Sequence, residues 1–211
     1  MIYLNNYGWN DKLSQLKQES TYNALTHGRI SIVHRTCYEV VSENGLFQCE
    51  LTGNMMYGKS DIELPCTGDW VLFQPFDEHK GIIVDMLPRE RTLYRKKNGT
   101  VADKQAIASY VDKAFIVQSL DDNFNVRRAE RFMVQMQEEN INPVLVFNKA
   151  DLGFDEQKVE EQIRHIARQI PVFFTSIHQP QTILQLRESI SAGETVVFVG
   201  SSGVGKSSLV N

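Results

Sequence analysis

The run Gly200-Ser201-Ser202-Gly203-Val204-Gly205-Lys206-Ser207-Ser208 has the spacing G-x-x-x-x-G-K-S that holds phosphate. Its glycines let the backbone curl until consecutive N–H groups point inward at phosphate oxygens. Lys206 is placed to reach the β- and γ-phosphates of a nucleotide, and the Ser207 hydroxyl to ligate Mg²⁺. A helix starting near Ser207 would add its positive end. The apolar strand TVVFV runs directly into this loop, which is the context a phosphate cradle requires.

A second constellation reads a base. Asn148-Lys149-Ala150-Asp151 follows the apolar run INPVLVF. The Asp151 carboxylate can accept from both guanine N1–H and the exocyclic amine, a donor pair that adenine lacks. Asn148 can bond the N7/O6 side, and the Lys149 stem can lie over the base plane. Ser176, in Thr175-Ser176 after the next strand, falls where a backing loop for the base is needed. An adenine would leave the carboxylate unpaired, and that penalty confers specificity for GTP and GDP. In the usual guanine-nucleotide domain the phosphate loop comes first. Here Asn148 precedes Gly200 by 52 residues, so the domain is circularly permuted.

Two kinds of element must position these residues. From about Lys113 onward, Ala114–Gln118, Pro143–Phe147, Pro171–Thr175 and Thr195–Val199 are continuous apolar runs of strands buried on both faces. Helical patterns separate them: Val126, Ala129, Phe132, Met133 and Met136, then Val159, Ile163, Ile166 and Ile170, then Ile183, Leu186 and Ile190. Strand–helix alternation predicts a parallel sheet covered by helices. The first hundred residues read as β instead. Short runs at Arg29–Val33, Tyr38–Val41, Leu46–Leu51, Trp70–Phe73 and Gly81–Met86 are broken by turn residues such as Asn44-Gly45. Five strands at that spacing suit a small β-barrel, and five is the OB-fold count. The expected domains are therefore 1–100, an OB-fold barrel, and 101–211, the nucleotide domain.

Charge and cysteine usage narrow the partners. A net charge of −4 excludes a wholly basic nucleic-acid binder, so any RNA contact is local. One local patch exists: LPRERTLYRKK carries Arg89, Arg91, Arg95, Lys96 and Lys97 against a single acid, with Tyr94 interleaved. These five are the candidate RNA-binding residues. Cys37, Cys49 and Cys66 form no C-x-x-C pair, which argues against zinc ligands in this chain. No apolar run approaches 18 residues, and no signal-peptide pattern opens the chain. A cytoplasmic protein with no membrane association is expected. Arg127, Arg128 and Arg131 are expected on the exposed side of the first helix of the α/β half, and Trp70 in the barrel core.

The inverted motif order behind a small barrel resembles the ribosome small-subunit-dependent, circularly permuted GTPases, the RsgA or YjeQ family. The likeness includes GWN at Gly8–Asn10, GRI at Gly28–Ile30 and PCTGDWV at Pro65–Val71. LPRERTLYRK, FNVRRAERFM, NKAD and GSSGVGKSSLVN match as well. The resemblance implies an OB-fold followed by a permuted GTPase domain. It also implies a role in late maturation of the small (30S) ribosomal subunit, with 16S rRNA as a contact and the protein monomeric. Tyr110 stands where the family commonly has Asn, and Ile177 where it usually has Ala.

The family's switch threonine, its D-x-P-G segment and its C-terminal zinc module have no counterpart within these 211 residues. Zn²⁺ is accordingly expected only with that module, and no residue here is assigned to position the attacking water. Weak or absent nucleotide binding and negligible turnover are expected of the 211 residues by themselves. The rival reading is a non-hydrolysing RNA-binding barrel with a vestigial nucleotide domain. A P-loop ATPase or kinase is disfavoured by Asp151.

Overall fold

Alternating apolar residues in the first half of the chain need an interior, and they make one by closing a sheet on itself. The computed structural model describes residues 1–57, 59–96, 104–121, 124–168 and 170–211. Strands β1 (Thr26–Val33), β2 (Tyr38–Ser42), β3 (Gly45–Leu51), β4 (Trp70–Asp77) and β5 (Lys80–Met86) form a closed barrel in the order β1-β2-β3-β5-β4. Only the β3–β5 pairing is parallel. Ile30, Val40, Phe47, Cys49, Val71, Phe73 and Ile83 make up the interior cluster. Met55 joins them from the short helix α2 (Gly53–Met56).

Trp70 and Leu72 alternate with Val71 and Phe73 and lie in a second cluster, under helix α1 (Asp11–Glu19). The Asn10 side chain caps α1 by accepting from Leu13 N at 3.1 Å. Leu13 packs there with Leu4, Leu87 and Tyr110. Trp70 is thus buried, 1% exposed, but beneath the helix rather than inside the barrel. Tyr110 holds a left-handed φ of 55°, which an asparagine adopts at less cost than a tyrosine. Its buried ring and a hydroxyl donating to the Pro88 carbonyl accompany that conformation.

Two further strands, β6 (Leu93–Lys96) and β7 (Lys104–Ala108), pair as a separate two-stranded sheet. The later part of the basic patch, Arg95 and Lys96, therefore lies on a strand. Burial falls off along it, from Leu93, which is buried, to Arg95, which is exposed. The compact units are Met1–Val111 and Asp112–Asn211, so this sheet, which a division at residue 100 would cut, sits with the first.

Arg89 is not a surface cation. Its Nε and Nη2 donate to the Asp69 carboxylate at 2.8 and 2.6 Å, and Nη1 and Nη2 donate to the Ile62 and Leu64 carbonyls. Asp69 is fully buried and also accepts from Cys66 N at 2.7 Å. The PCTGDWV and LPRER stretches are thus two ends of one ion pair, and Arg89 braces the barrel. Burial, with the Asp69 charge behind it, pushes the Cys66 thiol up to about 12.

In the second unit, β8 (Lys113–Ser119), β9 (Asn142–Asn148), β10 (Val172–Thr175) and β11 (Val196–Val199) form a parallel sheet in the order β10-β9-β8-β11. Helices α3 (Val126–Glu138) and α4 (Glu156–Ala167) cover one face through Ala129, Met133, Val159 and Ile163, packed on Ile116, Leu145 and Phe147. The other face packs Phe115, Val117, Val144 and Val146 against Leu186 of α5 (Pro180–Glu188) and Leu209 of α6 (Lys206–Val210). Asn125 and Asp155 cap α3 and α4, accepting from Arg128 N and Lys158 N. Among the described residues, no helix is long and apolar enough to cross a membrane.

Candidate nucleotide site

Parallel strands bring their carboxyl ends to one edge of a sheet, and ligand sites gather there. In this sheet that edge carries Ser119, Asn148, Thr175 and, just past β11, Gly200. Every candidate residue of the α/β half follows from it.

The phosphate loop is built against β8 and β9. Gly200 has φ 148°, and a Cβ added there would lie 2.4 Å from the Val117 carbonyl oxygen. Gly205 has φ 92°, and its Cβ would lie 2.2 Å from Asn148 Nδ2. Any side chain at either position would both strain the backbone and collide with the sheet edge. Between them Val204 is fully buried, whereas Ser202 and Gly203 are exposed. Lys206 folds back over the loop, Nζ donating to the Gly200 and Ser201 carbonyls at 3.1 and 2.7 Å. Ser207 and Ser208 are exposed on the first turn of α6.

The base-reading turn contacts this loop directly. Asn148 is 3% exposed, and its Nδ2 donates to the Val204 carbonyl at 2.9 Å. Its Oδ1 accepts from Thr175 Oγ1 at 3.3 Å. Asn148 thus serves as a brace between two motifs 52 residues apart. Lys149 takes a left-handed φ of 62°, and its Nζ pairs with Asp121 Oδ2 at 2.8 Å.

Asp151 is exposed, and its Oδ1 accepts from Ser176 Oγ. This hydrogen bond holds the Asp151 carboxyl below its ordinary range. Ser176 Oγ in turn accepts from His178 N at 3.0 Å, so the backing loop is fixed from two sides. Asn148, Lys149, Asp151, Leu152, Ile177, His178, Gly205 and Ser208 line one cleft of about 190 Å³.

Sequence reasoning did not find the bonds made by Thr175, Asp121 and Arg128. The first two lie at or just past strand ends of the same edge, which is the signal that could have found them. The third was assigned to a solvated helix face. Arg127 and Arg131 are exposed as expected, but Arg128 is half-buried and its Nη1 donates to Ser201 Oγ. Glu130 pairs instead with His165, 2.7 Å away.

Of the basic patch, Arg95 is exposed. Arg91 donates to the Val111 carbonyl at 3.1 Å and to Glu90 at 3.4 Å. Lys97 lies outside the described residues, as does the side chain of Lys96. Among the described residues, no three histidine, cysteine, aspartate or glutamate side chains gather as a metal site.

Comparison with known proteins bears on this arrangement. The RsgA GTPase family model matches residues 86–211. Small ribosomal subunit biogenesis GTPase RsgA 1 of Bacteroides thetaiotaomicron is 75% identical over 205 residues, spanning 97% of this chain and 58% of that protein. The RsgA of Methanosarcina acetivorans is 35% identical, spanning 97% of this chain and 54% of that one. The chain therefore spans just over half the length of these curated relatives.

The crystal structure of YjeQ from Thermotoga maritima superposes with a TM-score of 0.69 at 27% identity, covering 88% of this chain and 64% of that one. The structure of YloQ, a circularly permuted GTPase, does so at 0.64 and 25%, covering 91% and 65%. A closed five-stranded barrel of OB type precedes a circularly permuted GTPase domain here, as the sequence led us to expect. On the match of its permuted α/β half and its likeness to these relatives, the chain belongs to the RsgA GTPase family.

Proposed function

We propose that this chain carries the guanine-nucleotide site of a GTPase that assists maturation of the small ribosomal subunit. The observation that supports it best is the Asn148 brace to Val204, which holds a base-reading turn and a phosphate loop as one site. In this reading Asp151 accepts from the guanine N1–H and exocyclic amine, with Ser176 orienting the carboxylate. The Lys149 stem covers the base. Backbone N–H groups of Gly200 to Lys206 surround the phosphates, and Ser208 closes the base end of the loop. Lys206 exchanges its bonds to the Gly200 and Ser201 carbonyls for phosphate oxygens.

Mg²⁺ fits the exposed Ser207 hydroxyl as one oxygen ligand among phosphate oxygens and waters, so it would arrive with GTP. When bound it neutralises charge between the β- and γ-phosphates. Zinc is assigned only to the C-terminal module that the family resemblance implies. The cellular setting proposed is the cytoplasm, with the protein acting as a monomer on the subunit and its 16S rRNA.

The test is ligand-detected NMR on the 211-residue chain, which registers even millimolar binding. GTP and GDP should displace one another, ATP should not displace either, and phosphate release should stay at background. Equal displacement by ATP would overturn the guanine reading. Sustained phosphate release would overturn the view that water positioning needs groups other than these.

RNA contact is proposed through Arg95 and its basic neighbours on β6, with Arg89 withdrawn because the barrel consumes its donors. Arg95→Gln should make the salt dependence of small-subunit binding shallower by about one unit of log–log slope, the loss of one phosphate contact. An unchanged slope would return Arg95 to the solvated surface.

A further inference from the structure

Strands β8 and β9 leave the sheet at the same level, because Ser119 is the register partner of Asn148. The next residue ties the two turns together, Leu120 N–H donating to the Asn148 carbonyl at 2.9 Å. Just past this tie each turn carries a charge, Asp121 after β8 and Lys149 after β9. Their side chains meet, Lys149 Nζ donating to Asp121 Oδ2 at 2.8 Å. The other carboxylate oxygen accepts from the hydroxyl of the fully buried Ser119 at 2.6 Å, so the carboxylate is oriented from the sheet edge. Asp121 belongs to neither nucleotide motif.

Lys149 is thereby fixed at both ends. Its backbone holds a left-handed φ of 62°, which a lysine keeps only where its surroundings impose it, and its ammonium is held by a carboxylate. Between the two runs a flexible four-carbon stem, and Lys149 lines the base cleft. A free lysine stem samples many rotamers, and ordering it when a base arrives costs affinity. Here the ordering precedes the base. The pair contributes little to folding, since its side chains are 35% and 30% exposed and pairs in water are worth little. Its consequence is position rather than stability.

We infer that Asp121 is a positioning residue for the guanine base, acting through Lys149, whose stem it holds ready as the surface the base lies on. This rests on the guanine-nucleotide reading above. The test titrates GDP into the 211-residue chain by ligand-detected NMR, comparing Asp121→Ala, Lys149→Met and the two substitutions together. Lys149→Met keeps an unbranched stem and removes the ammonium. Each single variant should weaken GDP about three- to tenfold, the ordering cost of one long side chain. The double variant should be no weaker than the worse single, because both break the same tether. Asp121→Glu, which keeps a carboxylate, should recover part of the affinity. Thermal melting of Asp121→Ala should stay within about 4 °C of the unaltered chain, as loss of a partly exposed pair requires.

Losses that multiply in the double variant would show two independent roles and overturn the proposal. Should Asp121→Ala melt early, Asp121→Asn takes its place, since it keeps the shape and an acceptor for Ser119. Early melting of both would make Asp121 a strut of the sheet edge and overturn the proposal too. Should the unaltered chain bind no GDP, the guanine reading fails and the proposal with it. Should the chain bind GDP while Asp121→Ala binds it as tightly, the proposal fails alone.

Discussion

Asp151→Asn should weaken GDP binding on the order of 100-fold or more, because the site would then meet guanine with the wrong donor pattern. A carboxylate accepts from N1–H and from the exocyclic amine. An asparagine presents one acceptor and one donor, so one guanine N–H faces another N–H. A purine with a carbonyl in place of that amine accepts from the asparagine, so xanthosine diphosphate should gain where GDP loses. The acceptor role also has a definite pH window. Ser176 lowers the Asp151 pKa, so the carboxylate form persists below the ordinary aspartate range. Titration of Asp151 should leave GDP affinity flat from about pH 5 to 8 and weaken it only as pH falls through that lowered value. Competition between GDP and xanthosine diphosphate reads the switch. Retention of GDP affinity within about threefold in Asp151→Asn would remove Asp151 from the base site.

The second large effect lies in the barrel. Asp69→Ala should destabilise the barrel by about 3–5 kcal/mol, the usual cost of breaking a buried ion pair. Domains of this size have stabilities of about 5–15 kcal/mol, so much of the margin would go. The substitution leaves the Arg89 guanidinium, largely buried, without its carboxylate, and Cys66 N–H without its acceptor. Replacing both partners by apolar residues, Asp69→Leu with Arg89→Met, should cost less than Asp69→Ala alone, because no orphaned charge remains. Urea denaturation followed by tryptophan fluorescence reports on this region, since Trp70 adjoins Asp69. A loss under about 1 kcal/mol in Asp69→Ala would show that the pair contributes little.

How much of this was legible in the sequence varied with the range of the interaction. The five barrel strands and the four strands of the parallel sheet could be read because period-2 alternation and continuous apolar runs are local signals. Ile30, Val71, Phe73 and Phe115 sit where those patterns put them. The P-loop and N-K-A-D turn were legible for the same reason, being contiguous. Arg89 and Arg128 were not. Each stands in a run of charges that looks solvated, and what removes it is a partner 20 or 73 residues away. Asn148 was legible as a motif residue but its bond across to the phosphate loop was not, since nothing near it in sequence announces the Val204 carbonyl. Strand β6 was masked because charge at Arg95, Lys96 and Lys97 outweighed the buried Leu93 in any composition-based reading.

The permuted order also sets a clock. A ribosome adds about 5–20 residues per second, so the 52 residues from Asn148 to Gly200 take about 3–10 s to appear. Through that interval β8 and β9 can pair, but the flank of β8 that β11 will occupy stays bare, and the Asn148 amide has no Val204 to donate to. In a chain whose phosphate loop is made first, nucleotide could bind early and help the rest condense. Here the loop is synthesised after the base-reading turn, so the nascent sheet must protect its own open edge without a ligand's help. The gap between turn and loop is a stretch of translation in which a holding chaperone has the most to offer this domain, and a slow codon the most to harm it.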